Sequence, residues 1–218
     1  MRPAGLFSIT LLIFALSLSS QNMQVSDKDP VLINSDSWTA NNKTQVMTYS
    51  GNVVVTHSGN TIYAQKVSFK PGDDVLSAEM DVKFIDHKGT TVTGDKAKYG
   101  KSKMELEING NSYLETVGTE RITTRVRSDT MKLENGAGTA SAAGSVRVER
   151  GDMTVKCGKA QLFQAEEKVF LEGSPVVKKQ DDEFHGDNFT IYFKKRLLIA
   201  DSGVRARFYV KSTEAEKK

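Results

Sequence analysis

The chain has 218 residues, with 30 Lys and Arg against 27 Asp and Glu, so its formal net charge is only +3 at pH 7. The basic excess is mild and contains no block of Lys and Arg, which argues against a nucleic-acid-binding protein. The single cysteine, Cys157, excludes an intramolecular disulfide framework, and the length suits one domain or one continuous repeat array.

The first twenty residues have the composition of a secretory signal peptide. Arg2 precedes an apolar run over residues 6–18, and small residues just before Gln21 offer a cleavage site. The run is shorter than the about 20 apolar residues that a spanning helix needs, so a cleaved signal peptide over residues 1–20 is favoured. A retained membrane anchor is the alternative.

One short pattern recurs six times between residues 31 and 210, at intervals of 29 to 34 residues. The pattern has eight positions. An apolar residue, a variable residue and a small residue are followed by a fourth position that is usually Asp. The last four positions alternate between variable and apolar residues. Such tandem copies predict supersecondary units of about 30 residues, each burying its apolar face against its neighbours. Residues 21–30 are predicted to be a linker and residues 211–218 a disordered tail. The six copies start at Ile33, Ile62, Val92, Val126, Val155 and Phe184.

One strand of each unit shows a simple alternation. Met47, Tyr49, Val53 and Val55 fall on one face together with Gly51, which predicts a half-buried strand. A glycine in the inward row of a strand marks a bend, so each such strand is predicted to be creased at its centre. The same marker position is occupied by Gly51, Met80, Gly110, Gly144, Gly173 and Gly203.

In the other strand of each unit, the apolar set changes face at the Asp position. Val92 and Gly94 are followed by Ala97 and Tyr99, one residue out of step, which predicts a β-bulge in this strand. Short reversals rich in Gly, Asn and Asp predict hairpins, so the fold class is all-β and antiparallel, with roughly twelve long strands. A parallel β-helix is the rival architecture, because its coils have a similar length.

The polar residues do not form a convincing catalytic or metal site. His57 and His87 occupy equivalent turns 30 residues apart, but two ligands in exposed turns are too few for zinc. Asp recurs at the repeat spacing, which would suit a calcium ladder, yet the column is interrupted and the local backbone accounts for it. We therefore predict no catalytic residue, no metal and no cofactor, and we interpret Cys157 as a packed small residue. The Asp column contains Asp36, Asp95, Asp129 and Asp187, and is interrupted at Gln65 and Gly158.

The strongest functional indication is the row of inward apolar residues. These would be ordinary core in a closed sandwich, but the row continues to the last unit without a capping sequence. An uncapped sheet edge is a pairing site for another copy or a related domain. The inward residues that we select are Ile33, Trp38, Val53, Val55, Ile62, Phe69, Phe84, Val92, Tyr99, Leu114, Val126, Leu133, Val148, Leu162 and Phe189.

Three segments of the repeat resemble the OstA/LptA domain of lipopolysaccharide (LPS) transport proteins. They are residues 49–55 (YSGNVVV), 61–67 (TIYAQKV) and 143–148 (AGSVRV), and the similarity extends over about residues 31–210. The resemblance implies a twisted antiparallel β-jellyroll of V-shaped cross-section. It also implies a non-enzymatic periplasmic protein that shields the lipid A acyl chains of LPS between the inner and outer membranes.

The resemblance further implies the ligand and the partners. The fifteen inward residues would contact the acyl chains, and the terminal strands would join end to end with other copies, with an LptC-like inner-membrane protein and with an LptD-like outer-membrane translocon. Arg205 and Arg207 depart from the inward pattern in the last unit. An anchored LptC-like protein and a structural β-solenoid or surface protein are the alternatives. Candidate cations for the lipid phosphates are Lys66, Lys96, Arg127 and Lys159.

Overall fold

The computed structural model describes residues 30–118, 121–134, 138–163, 165–195 and 197–208. The predicted signal peptide, the predicted tail and nearly all of the predicted linker lie outside these residues. The described residues form sixteen strands in one antiparallel sheet and no helix. The predicted all-β antiparallel fold is thus confirmed, and the rival parallel β-helix is wrong.

The strands differ in length. Strands β3 to β10 have 10 to 13 residues, whereas the strands at the two ends of the sheet have 3 to 5. In chain order they are β1 (Leu32–Asn34), β2 (Ser37–Asn41), β3 (Val46–His57), β4 (Asn60–Phe69), β5 (Val75–Ile85), β6 (Thr91–Gly100), β7 (Glu105–Val117), β8 (Thr123–Glu134), β9 (Thr139–Arg150), β10 (Met153–Phe163), β11 (Lys168–Glu172), β12 (Val176–Lys179), β13 (Asp182–His185), β14 (Asn188–Tyr192), β15 (Leu197–Asp201) and β16 (Arg205–Arg207).

A crease runs across the long strands at the marker position. In β3, Gly51 and Asn52 both have positive φ, 79° and 44°, which is a left-handed conformation that Gly and Asn tolerate best. The same pair of left-handed residues recurs in β5, β7 and β9, so every second long strand bends at its centre as the sequence predicts. The further pairs are Met80 with Asp81, Gly110 with Asn111, and Gly144 with Ser145.

The extra residue of the bulge lies in the creased strand, and its predicted location in the Asp strand is wrong. Between the pairs Ser50↔Lys66 and Val53↔Ala64, β3 has two intervening residues and β4 has only Gln65. The apolar residues of β4 change face at this point because β4 has one residue fewer than β3 between the same two pairs. Alternation along a single strand shows that the pleat is interrupted but not which strand holds the insertion.

The crease divides the sheet into two half-sheets that face each other. The first half-sheet contains β1, β12, β13, β16 and the ends of the long strands next to the β3–β4, β5–β6, β7–β8 and β9–β10 hairpins. The second contains β2, β11, β14, β15 and the opposite ends of the long strands. The hydrophobic core lies between them, and the hairpin ends form the two rims of the fold. Because β1, β2, β15 and β16 each pair on one side only, the sheet is not closed.

Candidate functional site

Most of the predicted inward residues meet in the interior between the half-sheets. They belong to one hydrophobic core and pack chiefly against each other. Four others, Ile33, Phe69, Val126 and Leu162, are partly buried against this core. The middle of the interior is therefore densely packed, and the opening that Leu114, Leu133 and Leu162 help to line there has only about 40 Å³. The residues that are at most 4% exposed are Val53, Val55, Ile62, Phe84, Val92, Tyr99, Leu114, Leu133, Val148 and Phe189.

Trp38 is the exception among the predicted interior residues, because it is 62% exposed. It lies in β2 directly opposite Tyr49 of β3, so both side chains project from the same face of the sheet. Tyr49 packs against the core and stacks on Phe69 with ring centroids 6.0 Å apart. Trp38 faces the correct side but remains uncovered, because β2 is an edge strand. Trp38 therefore lies on the predicted face of the sheet but outside the packed interior.

A cavity of about 430 Å³ opens at the C-terminal end of the interior. Here the two ends of β10 pair with different strands, β11 in the second half-sheet and β12 in the first. The two half-sheets are no longer joined through continuous strands beyond this point, and the space between them is only partly filled. The apolar residues that line the cavity include Ile122, Met153, Val177, Phe184, Ile191 and Leu198.

Two cationic side chains, Arg150 and Lys179, and one carboxylate, Asp152, also line this cavity, so the charged groups at its wall are positive in balance. Nη1 of Arg150 donates a hydrogen bond of 3.0 Å to Oγ1 of Thr124, and its guanidinium lies 4.4 Å from the ring centroid of Phe193. Arg150 ends β9 in the first half-sheet, whereas Phe193 follows β14 in the second. The guanidinium therefore spans the gap between the two half-sheets. An apolar cavity with positive charge at its wall has the chemistry to hold an anionic amphiphile.

The sequence did not point to Arg150 or Ile122 as site residues. Both lie at hairpins of the first rim, where strand alternation no longer indicates which way a side chain points. The sequence contained one indication of Arg150, because this residue continues the alternation of Val146 and Val148 at the end of the strand. The same pattern is also typical of a strand end that is simply exposed to solvent.

A smaller cavity of about 160 Å³ lies at the N-terminal end of the interior. It is lined by Val31, Ile33, Phe69 and Lys101 among others, and Nζ of Lys101 lies 5.8 Å from the ring centroid of Phe69. The two ends of the interior therefore share one plan, in which apolar side chains are bordered by a cation. They differ mainly in the volume that is left open.

The recurring Asp residues contact the crease of the neighbouring strand. In the first unit, Nδ2 of Asn52 donates to Oδ2 of Asp36 at 2.9 Å, and a Cβ atom on Gly51 would overlap the same carboxylate. Asp95 has the same relation to Gly110 and Asn111. The recurrence of Asp is thus explained by packing and hydrogen bonding at the crease. Within the described ranges, no three His, Cys, Asp or Glu side chains are grouped so that they could hold a metal ion.

His57 and Cys157 are both at least partly buried by neighbouring residues. Nδ1 of His57 lies 3.0 Å from Oη of Tyr99, so His57 is partly buried and the prediction that it lies in an exposed turn is wrong. Cys157 is half-buried, and burial raises the pKa of its thiol to about 11. The thiol is therefore protonated and unreactive near neutral pH, as expected for a packed small residue.

The four predicted phosphate-binding cations lie on the outer face and each contacts a carboxylate. Lys66 and Lys96 lie 3.4 Å and 3.7 Å from carboxylate oxygens of Glu79. The other two pairs are Arg127 with Glu149 at 3.5 Å and Lys159 with Glu172 at 3.3 Å. Exposed pairs of this kind are weak, so an anion could still compete for them. The structure nevertheless does not bring them to the interior.

The last unit keeps its inward register. Ala206 of β16 lies opposite Phe184 of β13, and the ring of Phe208 meets that of Phe184 edge to face at 5.4 Å. Arg205 and Arg207 alternate with these residues and are exposed. The departure seen in the sequence is therefore an ordinary outward pair on an edge strand.

Part of the chain matches a known protein family. Residues 32–124 match the family described as LptA/(LptD N-terminal domain) LPS transport protein. The crystal structure of LptH, the LptA homologous periplasmic component of the conserved lipopolysaccharide transport device from Pseudomonas aeruginosa, is similar at 14% sequence identity and a TM-score of 0.26, covering 84% of this chain and 96% of that chain. No curated protein sequence matches the chain. The family model thereby confirms the resemblance over residues 32–124, which is less than half of the chain.

Proposed function

We propose that this protein is a non-enzymatic periplasmic carrier of LPS, which shields lipid A acyl chains between its two half-sheets during transport from the inner to the outer membrane. The observation that carries the proposal is the cavity of about 430 Å³ at the C-terminal end of the interior. The family match over residues 32–124 supports LPS as the lipid.

The binding energy would come from burial of apolar surface. Each Å² of acyl chain that leaves water contributes roughly 25 cal/mol, and the cavity wall offers Val177, Phe184 and Ile191 for this contact. Arg150 and Lys179 would attract the phosphates of lipid A, because opposite charges close to an apolar wall are screened less than in open solvent. The filled middle of the interior would accept further chain length only if the half-sheets separate.

Partners would dock on the unpaired edges. The N-terminal edge exposes Leu32 and Trp38, and the C-terminal edge exposes Leu197, Ile199 and Phe208. Open antiparallel edges with apolar side chains favour addition of a strand from another protein. We propose end-to-end contacts with further copies, with an LptC-like inner-membrane protein and with an LptD-like outer-membrane translocon.

The location follows from the proposed signal peptide. In the described part of the chain, no helix is long and apolar enough to cross a membrane. We propose that residues 1–20 are cleaved on export to the periplasm. Periplasmic fractionation followed by N-terminal sequencing distinguishes this carrier from an anchored LptC-like protein, since the carrier would begin near Gln21 and the anchored form would keep Met1.

Site-specific photocrosslinking tests the lipid site. A benzoylphenylalanine in place of Phe184, at the cavity wall, is expected to crosslink to lipid A in cells. The matched control is the same replacement at Tyr63, an aromatic residue that is 41% exposed on a long strand. Crosslinks from Tyr63 without any from Phe184 would contradict the proposed interior site.

A further inference from the structure

A buried polar cluster joins the two half-sheets near the N-terminal end. Tyr99 of β6 is 1% exposed, and its Oη lies 3.0 Å from Nδ1 of His57 and accepts a hydrogen bond of 3.3 Å from Nδ2 of Asn60. His57 ends β3 and Asn60 begins β4, both at the rim of the first half-sheet. Tyr99 lies near the rim of the second. Because neither β3 nor β4 pairs with β6, these contacts cross the interior.

The cluster is not fully satisfied. Asn60 is only 3% exposed, and its Oδ1 is the one buried side-chain nitrogen or oxygen atom of the described residues without a hydrogen-bond partner. A buried acceptor without a partner destabilises the closed arrangement, and water would satisfy it if the rims separated. The contact therefore joins the rims at the cost of one unpaired buried acceptor, and separation of the rims would remove that cost.

The same place divides the interior. Phe84 and Leu106 are completely buried here, and the rings of Phe84 and Tyr99 are 6.2 Å apart. The small cavity lies on the N-terminal side of these residues and the large cavity on the C-terminal side. No acyl chain can pass between the two cavities while these side chains keep their positions, because the interior is close-packed.

We propose that Tyr99, His57 and Asn60 form a rim latch, which holds the half-sheets closed and must open before a lipid chain can pass from one end of the interior to the other. The role in lipid passage rests on the proposed function. The latch itself is a property of the lipid-free protein and can be measured without any lipid.

The test measures the distance between the rims by pulsed electron paramagnetic resonance. Spin labels are placed at His87→Cys, on the β5–β6 hairpin of the first rim, and at Lys103→Cys, on the β6–β7 hairpin of the second, with Cys157→Ser to remove the native thiol. Both label sites are exposed and outside the latch. Tyr99→Phe is expected to increase the population with widely separated rims about fivefold for each hydrogen bond lost.

The matched control is Tyr113→Phe. Tyr113 donates a 2.7 Å hydrogen bond to Glu115 from the outer face of β7, so the substitution removes a hydroxyl of the same kind without touching the interior. It is expected to leave the rim distance unchanged. His57→Leu should widen the rims as Tyr99→Phe does, and the two changes together should give less than the sum, because they share a hydrogen bond.

The second measurement adds purified rough-type LPS to the labelled protein, and binding is expected to lengthen the rim distance. An unchanged distance in both Tyr99→Phe and His57→Leu would overturn the latch, even if LPS binds. Failure of LPS to co-elute with the native protein would instead overturn the proposed function, and the lipid-free distances would still decide whether the latch exists.

Discussion

The middle and the C-terminal end of the interior are built from the same alternating apolar pattern, yet the middle is densely packed, with openings of about 40 Å³, and the C-terminal end contains a cavity of about 430 Å³. In the middle, each strand from β3 to β10 crosses the crease and contributes to both half-sheets. The crease therefore determines how close the halves lie. Beyond β10 the strands are short and belong to one half-sheet each, so the halves can diverge. Strand continuity thus decides whether the same residue types form core or a binding site.

The largest expected difference between the two regions concerns a phenylalanine in each. Phe84 is completely buried in the middle, so Phe84→Ala should lower the free energy of unfolding by about 3–5 kcal/mol. Phe184 is only partly buried at the cavity wall, so Phe184→Ala should cost about 1 kcal/mol. Urea unfolding followed by circular dichroism measures both. Equal losses would mean that the C-terminal end packs as tightly as the middle.

The crease glycines should show a smaller contrast of the same kind. Gly110 has a φ of 79°, and a Cβ atom there would overlap the carboxylate of Asp95 in the packed middle, so Gly110→Ala should cost about 2–3 kcal/mol. Gly203 lies near the C-terminal edge, where a Cβ atom would approach the carboxylate of Asp187 less closely, at 2.8 Å, so Gly203→Ala should cost about 1 kcal/mol. If Gly110→Ala were tolerated in urea unfolding, the crease would not set the spacing of the half-sheets.

A charge at the cavity should affect ligand binding more than folding. Arg150→Gln is expected to weaken LPS binding about tenfold, because a cation near an apolar wall is lost where phosphates would lie. Arg147→Gln on the outer face, where Arg147 contacts Glu149 at 2.9 Å, should leave the affinity unchanged. Fluorescent LPS titration measures both variants. An equal effect of the two substitutions would indicate general attraction to the surface and argue against the cavity.

The smallest expected effect concerns the reactivity of Cys157, which lies in β10 between the packed middle and the C-terminal end. Its raised pKa of about 11 means that alkylation by iodoacetamide should be slow at pH 8 and accelerate only as the pH approaches that value. Since the unfolded thiol ionises first, near its ordinary value of 9, this group lowers the stability of the protein as the pH rises from 9 towards 11. Rapid alkylation at pH 8 in the folded protein would show that water enters at this strand.

Sequence reasoning was accurate for residues whose surroundings follow from alternation. Val55, Phe84 and Leu133 lie in the core because strands on both sides cover them. Trp38 obeys the same alternation but is exposed, since alternation indicates the face of the sheet and not the presence of a neighbouring strand. The bulge was placed in the wrong strand for a related reason, because only the paired register shows which strand holds the extra residue.

Contacts between residues on opposite sides of the interior could not be predicted from the sequence. His57 and Tyr99 are 42 residues apart and lie in strands that do not pair, so no periodicity connects them. Arg150 and Phe193 meet across the rim in the same way. Such contacts depend on the angle between the half-sheets, which is set jointly by all of the creases.

The sequence by itself determined that the chain is an antiparallel β-protein with creased strands, an apolar inner face and unprotected ends, because strand period, turn residues and crease glycines are local properties. The tertiary structure alone decided where the interior is filled, where it remains open, and which polar groups join the rims. The physical reason is that packing depends on the distance between two sheet faces, and that distance is a property of the whole fold.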